Sequence, residues 1–386
     1  MSKLDELLRE LCPHGVEYKK IGKIANYEQP SKYIVESTDY NDAFDVPVLT
    51  AGQTFILGYT NESTGIFRAS KLNPVIIFDD FTGAFKWVDF SFKVKSSAMK
   101  IITASNDVSI RYLFHVMGFL HYSSNEHKRL WIGIYSEFEV PVPPLEIQRE
   151  IVRILDNFTN LTAELTAELT ARKAQYSYYR DKLLTFESRI QLLPLKDIAK
   201  FSYGYTDKAQ EHGDTRFLRI TDIAEDGTMK PEGAKYILLN DESKKYLVKK
   251  GDLLLARTGA TYGKTLYVPD NSPAVYASFL IKIELDNSKI SNRYYWHFSK
   301  SNQYWRQAEK LVSKGGQQQF NTNAVERVVV PVPPLDVQNR IVNVLDNFEK
   351  ICSDLNIGLP AEIEARQKQY EYYRDKLLTF KEVAAT

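Results

Sequence analysis

The chain has 386 residues, enough for two or three domains that each bury a core. Hydrophobic content of 44% with 26% charged residues is that of an ordinary globular protein, and the lack of a leader pattern or an apolar run near 20 residues argues against secretion and membrane spanning, so a cytoplasmic protein is expected. A net charge of +1 argues against nonspecific coating of nucleic acid, and Cys12 and Cys352 have neither metal-site nor disulfide-framework spacing.

Residues up to about 140 read as a mixed domain. A helix is expected over "LDELLREL" (4–11), strands within "VPVLTAG" (46–52), "PVIIFDDF" (74–81) and "WVDFSFKVK" (87–95), and a helix through "SIRYLFHVMGFLHY" (109–122). The run "EFEVPVPP" (137–144) is strand-like, with prolines that hold it extended and keep it from the middle of a sheet. Proline also suits the first turn of a helix, so one should begin after Pro144. Ile147, Ile151, Ile154, Phe158, Leu161 and Leu165 then step by four and three, the rhythm of a helix packed along one seam. This helix is expected to run for about 40 residues, roughly 60 Å.

From 191 the plan repeats. "LPLKDIAKF" answers "KKIGKIANY", "GDLLLARTGA" answers "VIIFDDFTGA", and "NRYYWHFSKSNQYW" (292–305) supplies the helical segment. "PVPPLEIQREIVRILDNF" (141–158) returns 190 residues later as "PVPPLDVQNRIVNVLDNF" (331–348), with 12 of 18 positions identical. "YYRDKLLTF" recurs letter for letter at 178–186 and 372–380. So long a period means a duplicated domain with its spacer and not a solenoid. Val337, Ile341, Val344, Phe348, Ile351 and Leu355 repeat the seam, and Gly358 and Pro360 should kink or break the second helix. A one-sided apolar stripe needs a partner, so each long helix should pack on the other. The alternative is that each folds back on its own domain.

With two globular units, each followed by PxPPLxxQxxIVxxLD and a helix ending in YYRDKLL, the sequence resembles the specificity subunit of a type I restriction-modification system. The stretch "TAELTAEL" resembles the type IC branch. The resemblance implies an α+β fold with two similar target-recognition domains, at 1–144 and 189–334, separated by two long antiparallel helices within spacers at 145–188 and 335–381. It implies that each domain reads one half of an asymmetric, bipartite site on double-stranded DNA. Two modification (methyltransferase) subunits and restriction subunits would dock on the chain. AdoMet, ATP and Mg would be held by those partners, and this chain would hold no cofactor or metal. One added TAEL tetrad would lengthen a helix by about 6 Å and turn its end by about 40°, against about 34–36° for one base pair, so the unread spacer should grow by one or two base pairs.

The candidate DNA contacts follow from side-chain chemistry. "RTGATYGKT" (257–265) looks like a phosphate loop, but Gly259 and Gly263 enclose only three residues where four are required. Arg257, Thr258, Tyr262 and Lys264 are instead candidates for bases or phosphates, unless this is a glycine-built hairpin with solvated charges. Thr82, Gly83 and Lys86 occupy the matching place in the first unit, where Asp79 and Asp80 suit turn or hydrogen-bonding roles, or cytosine N4 recognition, better than catalysis. In "SKGGQQQFN", Gln317 falls where the family has a glutamine, and with Gln318 it suits adenine. The first unit has Lys128 and Arg129 there, phosphate or guanine candidates. Ile151, Ile154, Phe158, Tyr179, Ile341, Val344, Phe348 and Tyr373 are assigned to helix packing or partner docking. The six histidines form no catalytic array in the sequence, and no AdoMet or amino-methyltransferase motif occurs, so the chain should be non-catalytic. Two rival readings are a stand-alone DNA-binding protein and a coiled-coil adaptor that binds protein only.

Overall fold

The computed structural model describes residues 2–50, 54–122, 128–186, 190–313, 318–353 and 357–383. Its architecture is α+β, in two compact sheet-rich units: Met1–Glu164 with Ile363–Thr386, and Leu165–Glu362.

Both units contain the same three sheets. In the first, four antiparallel strands run in the order Ala25–Glu28, Met99–Ala104, Val75–Asp79, Phe85–Val88. In the second the order is Ala199–Tyr203, Leu280–Leu285, Leu253–Ala256, Thr265–Tyr267. A three-stranded sheet with one parallel pair lies in each: Val46–Leu49 beside Lys93–Val94, and Thr215–Leu218 beside Ala274–Tyr276. A two-stranded ladder closes each unit, Tyr18–Lys20 on Glu139–Pro141 and Gln191–Pro194 on Val329–Val332. The prolines of the closing runs thus sit in short ladders and not in a central strand.

Strands Val75–Asp79 and Leu253–Ala256 are buried along their whole length because their sheets are covered on both faces. Ile76 and Phe78 point to the helical side and Val75 and Ile77 to the small sheet. Leu253 and Leu255, against Leu254 and Ala256, divide in the same way.

The helix after Pro144 spans Leu145–Leu183, 39 residues. After Pro334 a helix spans Leu335–Ser353, and another spans Leu359–Leu377, so the chain breaks where Gly358 and Pro360 forbid continuity. The predicted seam is corrected by one position. Ile147, Ile151 and Leu155 are buried in the first unit's core and Ile341 and Leu345 in the second's, each fully buried side chain worth about 1.5–3 kcal/mol. Leu345 takes the place expected of Val344, which is 44% exposed, because an ideal helix drifts from a strict heptad. Leu355 lies outside the described residues.

These helices therefore use two faces. One lies on the domain of its own unit, and the other meets a second helix. Phe158 stacks on Tyr373 in the first unit (centroids 5.2 Å apart, planes at 18°), and Phe348 stacks on Tyr179 in the second (5.6 Å, 23°). The helical segment expected over 292–305 is two helices, Asn292–Phe298, which ends at its C-cap Ser299, and Asn302–Leu311, whose N-cap Ser301 accepts from Tyr304 N–H (3.2 Å).

Candidate nucleic-acid interface

The motif glutamine explains part of the repeat. Gln148 is fully buried, donates to the carbonyls of Pro143 (2.8 Å) and Asp107 (3.0 Å), and accepts from Ser109 N–H (2.8 Å). Gln338 does the same with Pro333 (2.8 Å), Lys289 (2.7 Å) and Ser291 N–H (2.9 Å). One amide thus joins the start of the spacer helix to the N-terminus of the domain helix. Tyr112 and Tyr294 add a bond each to the carbonyls of Pro141 and Pro331, both at 3.0 Å.

A second lock went unseen in the sequence. Asp156 accepts from Arg111 Nε (2.8 Å) and His115 Nε2 (2.9 Å), and His115 Nδ1 meets Tyr370 Oη (2.9 Å). Asp346 accepts from Arg293 Nε (2.8 Å) and His297 Nε2 (2.7 Å), and His297 Nδ1 meets Tyr176 Oη (3.1 Å). The signal was R-Y-x-x-H, at 111–115 and 293–297. Burial holds His115 below its ordinary pKa and pushes His297 down to about 4, in spite of the carboxylates beside them. Both rings are therefore neutral at pH 7, with the proton on Nε2 and the tyrosine donating to Nδ1. Burial works to raise the pKa of Asp156 and Asp346, but the bonds from histidine and arginine prevail and hold both carboxylates low. The order Tyr–His–Asp parallels a hydrolase triad, yet both histidines are fully buried and the set joins helix to domain.

On this frame, each unit gathers its flagged loops by the same two main-chain bonds. In the first unit Asp80 N–H donates to Ala98 (3.1 Å), and Leu130 N–H donates to Asp80 (2.8 Å). In the second, Arg257 N–H donates to Phe279 (3.1 Å), and Phe320 N–H donates to Arg257 (2.7 Å). Arg257 is thus the structural counterpart of Asp80.

In the first unit the turn beyond Asp80 carries Thr82, exposed, and leads to Lys86, exposed on strand Phe85–Val88. Lys128 and Arg129, both exposed, immediately precede Leu130, so the Asp80–Leu130 bond brings their loop to the turn that carries Thr82. Asp79 accepts from the N–H groups of Phe81 (2.9 Å) and Thr82 (3.2 Å). Asp80 is 1% exposed, pairs with Lys100 (3.2 Å) and accepts from Trp131 N–H (2.9 Å), so both carboxylates serve the fold. Gly83 has no side chain to offer and is required by the turn, at φ +74° with Tyr135 Oη 3.2 Å from where a Cβ would sit.

In the second unit residues 257–264 form the hairpin turn between strands Leu253–Ala256 and Thr265–Tyr267, with Gly259 and Gly263 at positive φ. Gln318, exposed, accepts on its carbonyl from Gly259 N–H (3.3 Å). Lys264 pairs with Glu225 (2.5 Å). Two candidates are less open than these. Thr258 is 2% exposed, turned inward where its backbone bridges to Gln319. Tyr262 packs on Trp305 and Phe320 at the edge of the core, and its phenol is pushed up by burial. Gln317 lies outside the described residues.

Among the described residues, His297, Asp346 and Glu349 bring three metal-ligand atoms within 4.8 Å of one another. Arg293 bonds both carboxylates and Lys300 pairs with Glu349 (3.2 Å), so cationic side chains already occupy the place a metal would take.

The profile of the type I restriction modification DNA specificity domain matches residues 13–172 and 188–365. The chain belongs to the type I restriction-modification specificity subunits. The Escherichia coli type I restriction enzyme EcoR124I/EcoR124II specificity subunit is 39% identical over 98% of both chains. A putative type I restriction enzyme specificity subunit of Haemophilus influenzae is 30% identical over 95% of this chain and 96% of its own. The fold matches the S subunit of M. genitalium at a TM-score of 0.58 with 12% identity, over 94% and 96% of the two chains. It also matches a chain from a study of complex assembly and conformational transition in the type I system, at 0.55 with 17% identity over 95% and 98%. The family profile thus matches this chain twice, once in each half of the repeat expected above.

Proposed function

We propose that this chain is the DNA-reading component of a type I restriction-modification assembly. Residues 1–144 and 189–334 act as target-recognition domains, each reading one half of a bipartite, asymmetric site. Residues 145–188 and 335–381 set the unread spacing between the halves and dock two methyltransferase subunits and the restriction subunits. The observation that carries this reading is a repeated frame with unlike loops. The glutamine and histidine locks are the same in both units, whereas the junction that gathers the loops holds Asp80, Ala98 and Leu130 in one and Arg257, Phe279 and Phe320 in the other. Such a chain presents two different reading surfaces on one scaffold, which a symmetric dimer cannot do.

Thr82, Lys86, Lys128 and Arg129 are the proposed contacts of the first domain, and Arg257, Lys264 and Gln318 those of the second. The stacks Phe158–Tyr373 and Phe348–Tyr179, whose tyrosines are exposed, make the helical docking face, with Val344 exposed one turn from Phe348. The chain itself does no chemistry. AdoMet-dependent adenine methylation and ATP- and Mg-dependent cleavage belong to the partners, in the cytoplasm. No helix among the described residues is long and apolar enough to cross a membrane.

Co-expression with a cognate methyltransferase subunit, followed by genome-wide mapping of methylated adenine, tests the reading. Two unlike half-sites separated by a fixed unread gap are expected. A continuous motif, or tight specific binding without the methyltransferase, would overturn it in favour of a stand-alone binder. Salt-independent behaviour with no DNA affinity in the assembled complex would favour an adaptor.

A further inference from the structure

Arg257 is held as a preformed fork. Its backbone is fixed on both sides, by N–H donation to Phe279 (3.1 Å) and by acceptance from Phe320 N–H (2.7 Å). Its Nε donates to the carbonyl of Ser278 (3.1 Å). The guanidinium carbon lies 5.0 Å from the ring centroid of Tyr203 and 5.6 Å from that of Phe279. Arg219 and Arg293 in the same unit are engaged by carboxylates. Arg257 has no carboxylate partner, and its Nη1 and Nη2 donate to nothing among the described residues. The flanking rings are themselves open to solvent, Phe279 at 52% and Tyr203 at 41%. Two aromatic rings beside an unpaired arginine form a surface that is incomplete without a planar acceptor.

We infer that Arg257, held by Ser278 and the rings of Tyr203 and Phe279, reads one guanine through O6 and N7 in the half-site of the second unit. This rests on the proposed DNA-reading role and gives it a base. With Nε occupied by Ser278, the two terminal nitrogens remain as a pair of donors on one planar group, which suits a bidentate contact to guanine. A carboxyl-like acceptor pair on a base edge satisfies both donors at once, whereas a phosphate contact would need charge but not the clamp. The first unit has no counterpart. Asp80 and Ala98 hold the two equivalent main-chain positions, and the Asp80 carboxylate is consumed internally by Lys100. A guanine read from this junction is therefore expected in the second unit's half-site alone.

The test compares methylomes and DNA binding of the complete complex carrying the wild-type chain, Arg257→Gln or Phe279→Ala. Arg257→Gln is expected to relax one obligatory guanine in one half-site, to leave the other half-site unchanged, and to weaken binding to the cognate site by about 10- to 100-fold. Phe279→Ala, which keeps the charge and removes half of the clamp, is expected to relax the same position less; it also carries the test if Arg257→Gln destabilises the subunit. An unchanged guanine requirement in both variants would overturn the inference while leaving the bipartite reading intact. So would uniform weakening with a salt slope lower by about one and no change in base preference, the signature of a phosphate contact. If the wild-type chain directs no bipartite methylation, the parent reading itself has failed.

Discussion

His115 and His297 are the residues whose environment departs most from what their position in the chain suggests. Each is sealed between an aspartate and a tyrosine, and each is kept neutral by burial. The folded state binds a proton on His297 only near pH 4, whereas the unfolded chain binds one near 6.5. Between these values the unfolded state carries more protons, so stability falls as the pH is lowered through that window, by on the order of 3 kcal/mol for this one group. Denaturant unfolding at a series of pH values from 7 to 4 should show the slope, and His297→Gln should flatten it; equal slopes in the two proteins would refute the account. Sequence reading missed this pair for a physical reason. R-Y-x-x-H is three letters in five, and its meaning depends on Asp156 and Asp346, more than 40 residues downstream in each unit. Gln148 and Gln338, by contrast, stood inside a long repeated motif, although their capping role became visible only once the domain helix was placed.

Among the elements, the long helix Leu145–Leu183 was legible almost to its ends. Pro144 marked its start, and an unbroken run of good helix formers through "TAELTAEL" carried it across the stretch where the second copy breaks. What the spacing did not reveal was that two neighbouring stripes, not one, are in use. Ile147, Ile151 and Leu155 face the domain, while Phe158 meets Tyr373. A heptad count selects one face and is silent about a second. The tetrad repeat lies where side chains are half-buried or exposed, so adding a TAEL unit should disturb no core. Such an insertion is expected to lengthen the unread gap by one or two base pairs and to leave both half-sites as they were. Adenine-methylation mapping of the insertion variant measures this directly, and an unchanged gap would end the idea that the helix sets it.

At the scale of the whole molecule, the duplication was plain in the spacer motifs, and strand-like runs in matching places marked both units as mixed, whereas their division into three sheets depends on long-range pairing that the runs do not specify. The loops were less legible. "GDLLLARTGA" against "VIIFDDFTGA" sets Arg257 opposite Phe81, whereas the main-chain bonds set it opposite Asp80, because an ungapped match fixes on the shared Thr-Gly-Ala although the turn between Leu255 and Thr265 is three residues longer than that between Phe78 and Phe85. Phe279 carried no mark at all in the sequence, since its value lies in an arginine 22 residues away across the sheet. If each unit reads independently, replacing residues 189–334 by the equivalent region of a relative should exchange one half-site and preserve the other, as read by methylome. Alteration of both halves would show that reading is shared. The loop junction also bears on how targets change over evolutionary time. The two bonds that both units share run through main-chain amides and carbonyls, and the side chains of Asp80 and Arg257 add different bonds of their own, so the shared pair places no demand on which side chain is present. An acidic, buried residue and a basic, open one are held by the same pair of bonds, and a new recognition surface can therefore arise by substitution alone, without the scaffold having to be rebuilt.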